Sequence, residues 1–185
     1  MRESHSVLLE LSVLLPAVGA VWVKLTREPV LARRRSLVVS GLALACAVLV
    51  SWEFAASGFT GTRAWWGPLS RIPPLNLLAI DGLSAPLLPL AALIYFLTIL
   101  ATLRTKVREF SFAMSLASEA ILLATLGCKQ PWGVVALMAA GTVPPYLELR
   151  GGRKPLRVYV AHMGLFVVLL VSGQAMRVWG GESGG

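Results

Sequence analysis

The sequence predicts an all-α, polytopic integral membrane protein with about six transmembrane helices and a Trp/Pro-rich outer loop between helices 2 and 3. Three observations carry that prediction. Of 185 residues, 56% are hydrophobic and only 14% are charged, with a mean hydropathy of +0.73. A soluble domain carries about 25% charged residues. From Leu83 to Leu103 no charge occurs, a run of about 21 residues that crosses a hydrocarbon core of roughly 30 Å as a helix. The 17 Lys and Arg residues gather in short segments between apolar runs.

Taken in order, the apolar runs make one transmembrane domain over 1–185. Its spans lie at about 6–23, 36–58, 82–103, 110–128, 132–149 and 158–176. Pro16 loosens the first. Pro144-Pro145 interrupt the fifth, where lost backbone bonds must be recovered from neighbouring helices or side chains. Between the second and third spans, 59–80 carries Trp65-Trp66, Pro68 and Pro73-Pro74. A Trp pair beside a span reads as an interfacial anchor, with stacking on a substrate as the other use. Proline there disfavours regular helix, and a short hairpin on the membrane surface fits. The fourth span sets Ala113, Ala117, Ala120, Ala124 and Gly127 in a smooth stripe, and the fifth has Gly133, Ala136, Ala140 and Gly141. Faces of that kind allow close helix packing.

Charge placement gives the topology. Lys24, Arg27 and Arg33-Arg34-Arg35 fall on one side, as do Arg104, Lys106, Arg108, Arg150, Arg153, Lys154 and Arg157. The other side keeps Arg2, Arg63, Arg71, Lys129 and Arg177, five of the 17 basic residues. The positive-inside rule then puts both termini on the outer, periplasmic side of a bacterial inner membrane. The net charge of +8 and the pI near 10.3 express topology and not a nucleic-acid face. Glu10, Pro16 and the following Lys24 and Arg27 do not read as a cleaved secretory signal.

Ionisable groups inside spans are expensive to place there and are functional candidates. Glu119, near the middle of the fourth span, falls on a face with Phe112, Ser115, Leu122 and Leu126, opposite the small stripe. It reads as a structural hydrogen-bonded acid, a proton relay, or a contact to a partner subunit. Glu53 and Glu10 lie near outer span ends, where a carboxylate reaches water. His162, in the sixth span, has a side chain suited to proton transfer, or a structural one. Glu148 pairs locally with Arg150. Asp81, ahead of Gly82-Leu83-Ser84, suits a helix N-cap, whose carboxylate accepts orphan N–H groups of the first turn. Glu119, His162, Asp81 and Glu53 are thus the proton-pathway candidates. Cys46 and Cys128 read as small buried side chains. No phosphate-binding loop, dinucleotide fingerprint, metal-ligand spacing or nucleophile elbow occurs. The sequence predicts no cofactor, no metal site and no catalytic centre of its own.

The run Leu78-Ala79-Ile80-Asp81-Gly82-Leu83-Ser84 resembles the opening of the third span in antiporter-like membrane subunits of respiratory complex I. Within them it is most similar to NADH-quinone oxidoreductase subunit M (chain 4), and it also resembles Mrp-type cation/proton antiporters. The order of features continues: a basic loop at 104–109, an apolar span, Val143-Pro144-Pro145-Tyr146, and Gly151-Gly152-Arg153-Lys154 before a last span. The resemblance covers about the first six of the family's roughly fourteen spans. It implies a fifth-span Glu five residues before the matching proline, paired with a Lys on the seventh span. Here that position is Ala139, with Met138 and Ala140 beside it. A degenerate relative is therefore expected, a non-pumping structural or accessory subunit of a redox-linked membrane complex. Its partners are the lipid bilayer and the subunits of a complex I-like or antiporter-like assembly, with no nucleic acid. A minimal proton or cation pathway using Glu119, and a membrane anchor for a soluble enzyme, are the alternative expectations.

Overall fold

Backbone amides inside a lipid core must be satisfied within the chain, which leaves helices as the economical solution for apolar runs of this length. The computed structural model describes residues 7–26, 28–56, 62–63, 78–102, 111–151 and 156–182. Its helices are α1 (Val7–Lys24), α2 (Pro29–Ala56), α3 (Ser84–Ala101), α4 (Phe112–Gly127), α5 (Pro131–Ala140), α6 (Val143–Gly151) and α7 (Leu156–Glu182). A two-residue antiparallel ladder joins β1 (Thr62–Arg63) to β2 (Ala79–Ile80), with Thr62 opposite Ile80. The outer-loop residues Trp65, Trp66, Pro68, Pro73 and Pro74, the basic loop 104–109 and the 153–154 pair lie outside the described residues.

Four helices, α1, α2, α3 and α7, are long and apolar enough to cross a membrane, which marks a membrane protein. Two predicted spans come out differently. α4 has 16 residues, about 24 Å of rise, and is shorter than the run from which it was expected. The predicted fifth span is two short helices. The break falls at Gly141-Thr142, ahead of the proline pair. Pro144 and Pro145 sit in the first turn of α6, where a missing N–H costs no helical bond. α2 begins earlier than predicted, at Pro29, so Arg33, Arg34 and Arg35 are helical.

α1 to α4 form an up-and-down bundle in which α1 packs on α2, α2 on α3, α3 on α4, and α4 closes against α1. The direction alternates because Leu9, Val50, Leu88 and Leu123 share one apolar cluster, while Val23, Ala32, Ile99 and Phe112 share another. The first cluster is roofed by the extended stretch Leu78–Ile80, all buried, with Leu78 bridged to Cys128. At the other end Arg33 Nη2 donates to the Leu100 carbonyl at 2.9 Å. Arg35 donates to Thr26 Oγ1 at 2.7 Å and stacks over Trp22 with 4.7 Å to the ring centroid. α5, α6 and α7 lie against the α4 side of the bundle. Neither α5 nor the apolar window of α7 holds a buried residue.

Gly19 marks a close approach of α1 to α2, since a Cβ there would collide with Val39 Cγ1. Gly19→Ala is expected to cost about 1–3 kcal/mol by overpacking. Gly173→Ala, where an added Cβ meets nothing within 4 Å, should be neutral or gain up to ~1 kcal/mol of helix propensity. Thermal unfolding of the detergent-purified chain, followed by circular dichroism, checks both. Equal midpoints for Gly19→Ala and the native chain would contradict the close approach.

Candidate functional site

Polar side chains are also enclosed by the bundle. Ser12, Ser36, Ser40 and Glu119 are all fully buried. Serine in a helix commonly returns its hydroxyl to the backbone one turn back, and two of these do. Ser12 Oγ donates to the Leu9 carbonyl at 2.7 Å and Ser36 Oγ to the Ala32 carbonyl at 2.8 Å. Ser40 instead reaches across the bundle, donating its hydroxyl to Glu119 Oε1 at 3.0 Å. This is the point where α2 and α4 meet on the diagonal.

Glu119 Oε2 is shielded and accepts no hydrogen bond among the described residues. No cation stands beside the carboxyl there either. A buried charge needs pairing, so this is a poor seat for a permanently ionised carboxylate. The face assigned to Glu119 from the sequence needs correction. The buried side of α4 is Phe112, Leu116, Glu119, Ala120, Leu123 and Gly127. Part of the small stripe is therefore buried with the acid, whereas Leu122 is 38% exposed. These buried positions span an arc of about 100°, and Glu119 holds one margin of it.

On the other side of α4, a cavity of about 520 Å³ opens between α4, α5, α6 and α7. Ile121, Leu137, Met163 and Phe166 make its walls apolar, and Ser118, Thr142, Tyr159 and His162 add polar groups. Tyr95 of α3 also borders it and pairs with Ser118. His162 is exposed, with Nδ1 2.8 Å from the Val158 carbonyl of its own helix. Glu119 faces the bundle and His162 the cavity, so the two are not brought together. Ser40 and Tyr95 are the neighbours that sequence reading missed. The Ala32-Ser36-Ser40-Ala43-Ala47 series of small residues on α2, all buried, is the signal that points to the first.

Ala139 lies half-buried one residue before the end of α5. Its carbonyl accepts the Thr142 N–H at 3.1 Å and the Thr142 hydroxyl at 2.7 Å, so this position closes a helix and presents no charge. Tyr159 Oη donates to the Thr142 carbonyl at 2.7 Å, tying α7 to the break.

Asp81 and Glu53 sit at the roofed end. Glu53 is exposed near the end of α2. Asp81 is exposed ahead of α3, whereas Glu119 is enclosed by the bundle, and the two are not brought together. Asp81 Oδ1 accepts the Leu83 and Ser84 N–H groups at 3.1 and 2.8 Å, while the Asp81 carbonyl accepts the Ala85 N–H at 3.0 Å. The Ser84 hydroxyl meets Oδ1 at 2.8 Å, and the Asp81 N–H donates to Ser84 Oγ at 3.0 Å. These reciprocal bonds satisfy the donors that open α3, in the manner of a capping box. Gly82 is exposed, and a Cβ added there meets nothing.

Comparison with protein-family models and with curated proteins finds no match to this chain.

The Ser84 N–H, then the Ser84 hydroxyl, with lesser help from the Leu83 N–H and Lys129, outweigh desolvation and hold the Asp81 carboxyl below its ordinary value of 3.8. A carboxyl depressed in the folded state stabilises above its unfolded value and loses that contribution as pH falls through the folded value. Asp81→Ala is therefore expected to cost about 1 kcal/mol near neutral pH, with the gap to the native chain closing below pH 3.8. Unfolding midpoints across acid pH check this, and a gap that widens on acidification would contradict it.

Proposed function

We propose that the chain is a membrane subunit related to the N-terminal part of complex I and Mrp antiporter-like subunits. In this reading it is a non-pumping structural or accessory subunit of a larger redox-linked membrane complex. One observation carries it: Glu119, the fully buried acid of the bundle, is bonded by a neutral hydroxyl and has no cation beside it among the described residues. Moving a proton through a membrane domain requires titratable partners in reach of one another. Ala139, where the resemblance implies an acid, ends a helix with its carbonyl spent on Thr142.

Six crossings belong to the same reading: α1, α2, α3, α4, the α5–α6 pair taken together, and α7. Both termini then lie on the periplasmic side of a bacterial inner membrane, with Lys24 and Arg33–Arg35 on the cytoplasmic side. The bareness of α7, including Val168, Leu169 and Trp179 at 62%, 61% and 78% exposure, supports an environment of lipid and partner subunits. The anchor reading loses weight, because Arg33 and Arg35 are spent on the bundle's own end. The unpaired Oε2 of Glu119 is the observation that favours a minimal proton pathway as the second reading.

Reconstitution into liposomes with a trapped pH dye separates these two. The native chain and Glu119→Gln are both expected to leave proton leak at the protein-free level, and affinity capture from native membranes should retain quinone-reductase-like or hydrogenase-like membrane subunits. A native flux abolished by Glu119→Gln would overturn the non-pumping reading.

A further inference from the structure

A second groove, of about 450 Å³, runs between α6 and α7 away from the Glu119 side. Val143 and Tyr146 line it from α6, and Val160, Gly164 and Val168 from α7. It is apolar for most of its length and open laterally, with Val143 and Val168 exposed at 48% and 62%. An added Cβ at Gly164 meets nothing within 4 Å, so open space lies beyond that backbone.

The charge at one end of the groove decides what suits it. Arg157 precedes Val160, Gly164 and Val168 by three, seven and eleven residues, spacings that share a helix face. Arg150 follows Val143 and Tyr146 by seven and four, again on the groove face. α6 ends at Gly151 and α7 starts at Leu156, so both guanidinium groups belong to the same end. Both arginines are exposed, and the ion pair expected between Glu148 and Arg150 is not formed among the described residues. An apolar trough of this size ending in two arginines is complementary to a molecule with an acyl chain and an anionic phosphate. Guanidinium groups recognise phosphate well, and basic pockets between membrane helices favour anionic headgroups.

We propose that the α6–α7 groove is a binding site for an anionic glycerophospholipid, its phosphate held by Arg150 and Arg157 and one acyl chain laid along Val160, Gly164 and Val168. The site is independent of whether the chain moves protons or joins a redox complex. Through Tyr159, which borders this groove and bonds the Thr142 carbonyl, a seated chain rests against the junction that holds α7 to the α5–α6 break.

The test is native mass spectrometry of the full-length chain in detergent, titrated with phosphatidylglycerol or phosphatidylcholine of identical acyl chains. The native chain is expected to bind one phosphatidylglycerol about 30-fold more tightly than phosphatidylcholine, the preference two arginines supply. Arg150→Gln with Arg157→Gln should bring the two lipids to parity. Gly164→Leu, whose added Cβ meets open space, should weaken both lipids at unchanged helicity. Equal binding of the two lipids to the native chain would overturn the proposal. So would a headgroup preference that survives the double Arg substitution, or phosphatidylglycerol binding that Gly164→Leu leaves intact.

Discussion

A polar group enclosed by helices inside a membrane has no water to turn to, so the bundle itself must answer it. In this chain that demand falls on one contact, the Ser40 hydroxyl donated to Glu119 Oε1. Above and below it the four helices meet through ordinary apolar packing, with Leu9, Leu88 and Leu123 in one cluster and Val23, Ile99 and Leu116 in the other. Apolar side chains alone specify register weakly between helices in lipid, where burial brings no hydrophobic gain over the bilayer. The Ser40–Glu119 pair adds direction to that packing. It ties α2 to α4 across the diagonal.

The remaining helices follow a different economy. α5 and α6 divide one apolar run between two short helices. At the break, the Ala139 and Thr142 carbonyls each accept a backbone N–H and, in addition, the Thr142 hydroxyl and Tyr159 Oη of α7 respectively. α7 is thus attached by a polar latch and a few apolar contacts, with its apolar window unburied within the chain. That division into a self-sufficient bundle and a lightly held flank is what gives the molecule two lateral grooves beside α7.

Much of the helical fold was legible in the sequence, because length and hydropathy alone decide where a helix can sit in a membrane. The runs leading to α1, α3 and α7 lie close to the helices observed. The turn opening α3 is equally local: Asp81 and Ser84 are three residues apart, so their reciprocal bonds need no tertiary information. Three features were hidden. The break at Gly141-Thr142 depends on a threonine closing the helix before the prolines enter, and proline is the louder signal. The inward face of α4 depends on how α1 and α2 flank it, which its own small-residue stripe does not encode. The Ser40–Glu119 contact joins positions 79 apart in sequence, and Ser12 and Ser36, equally buried, satisfy themselves locally. Single-helix periodicity cannot tell which serine will cross.

The Glu119 carboxyl serves the bundle as an interhelical hydrogen-bond acceptor. A double-mutant cycle on unfolding free energy, with Ser40→Ala, Glu119→Leu and the combination in mild detergent, tests it most directly. A coupling energy of about 0.6 kcal/mol, and up to about 1.7, is expected, the mean and upper value for interhelical hydrogen bonds in a membrane bundle. Single effects that add to within about 0.3 kcal/mol, as for independent sites, would contradict it.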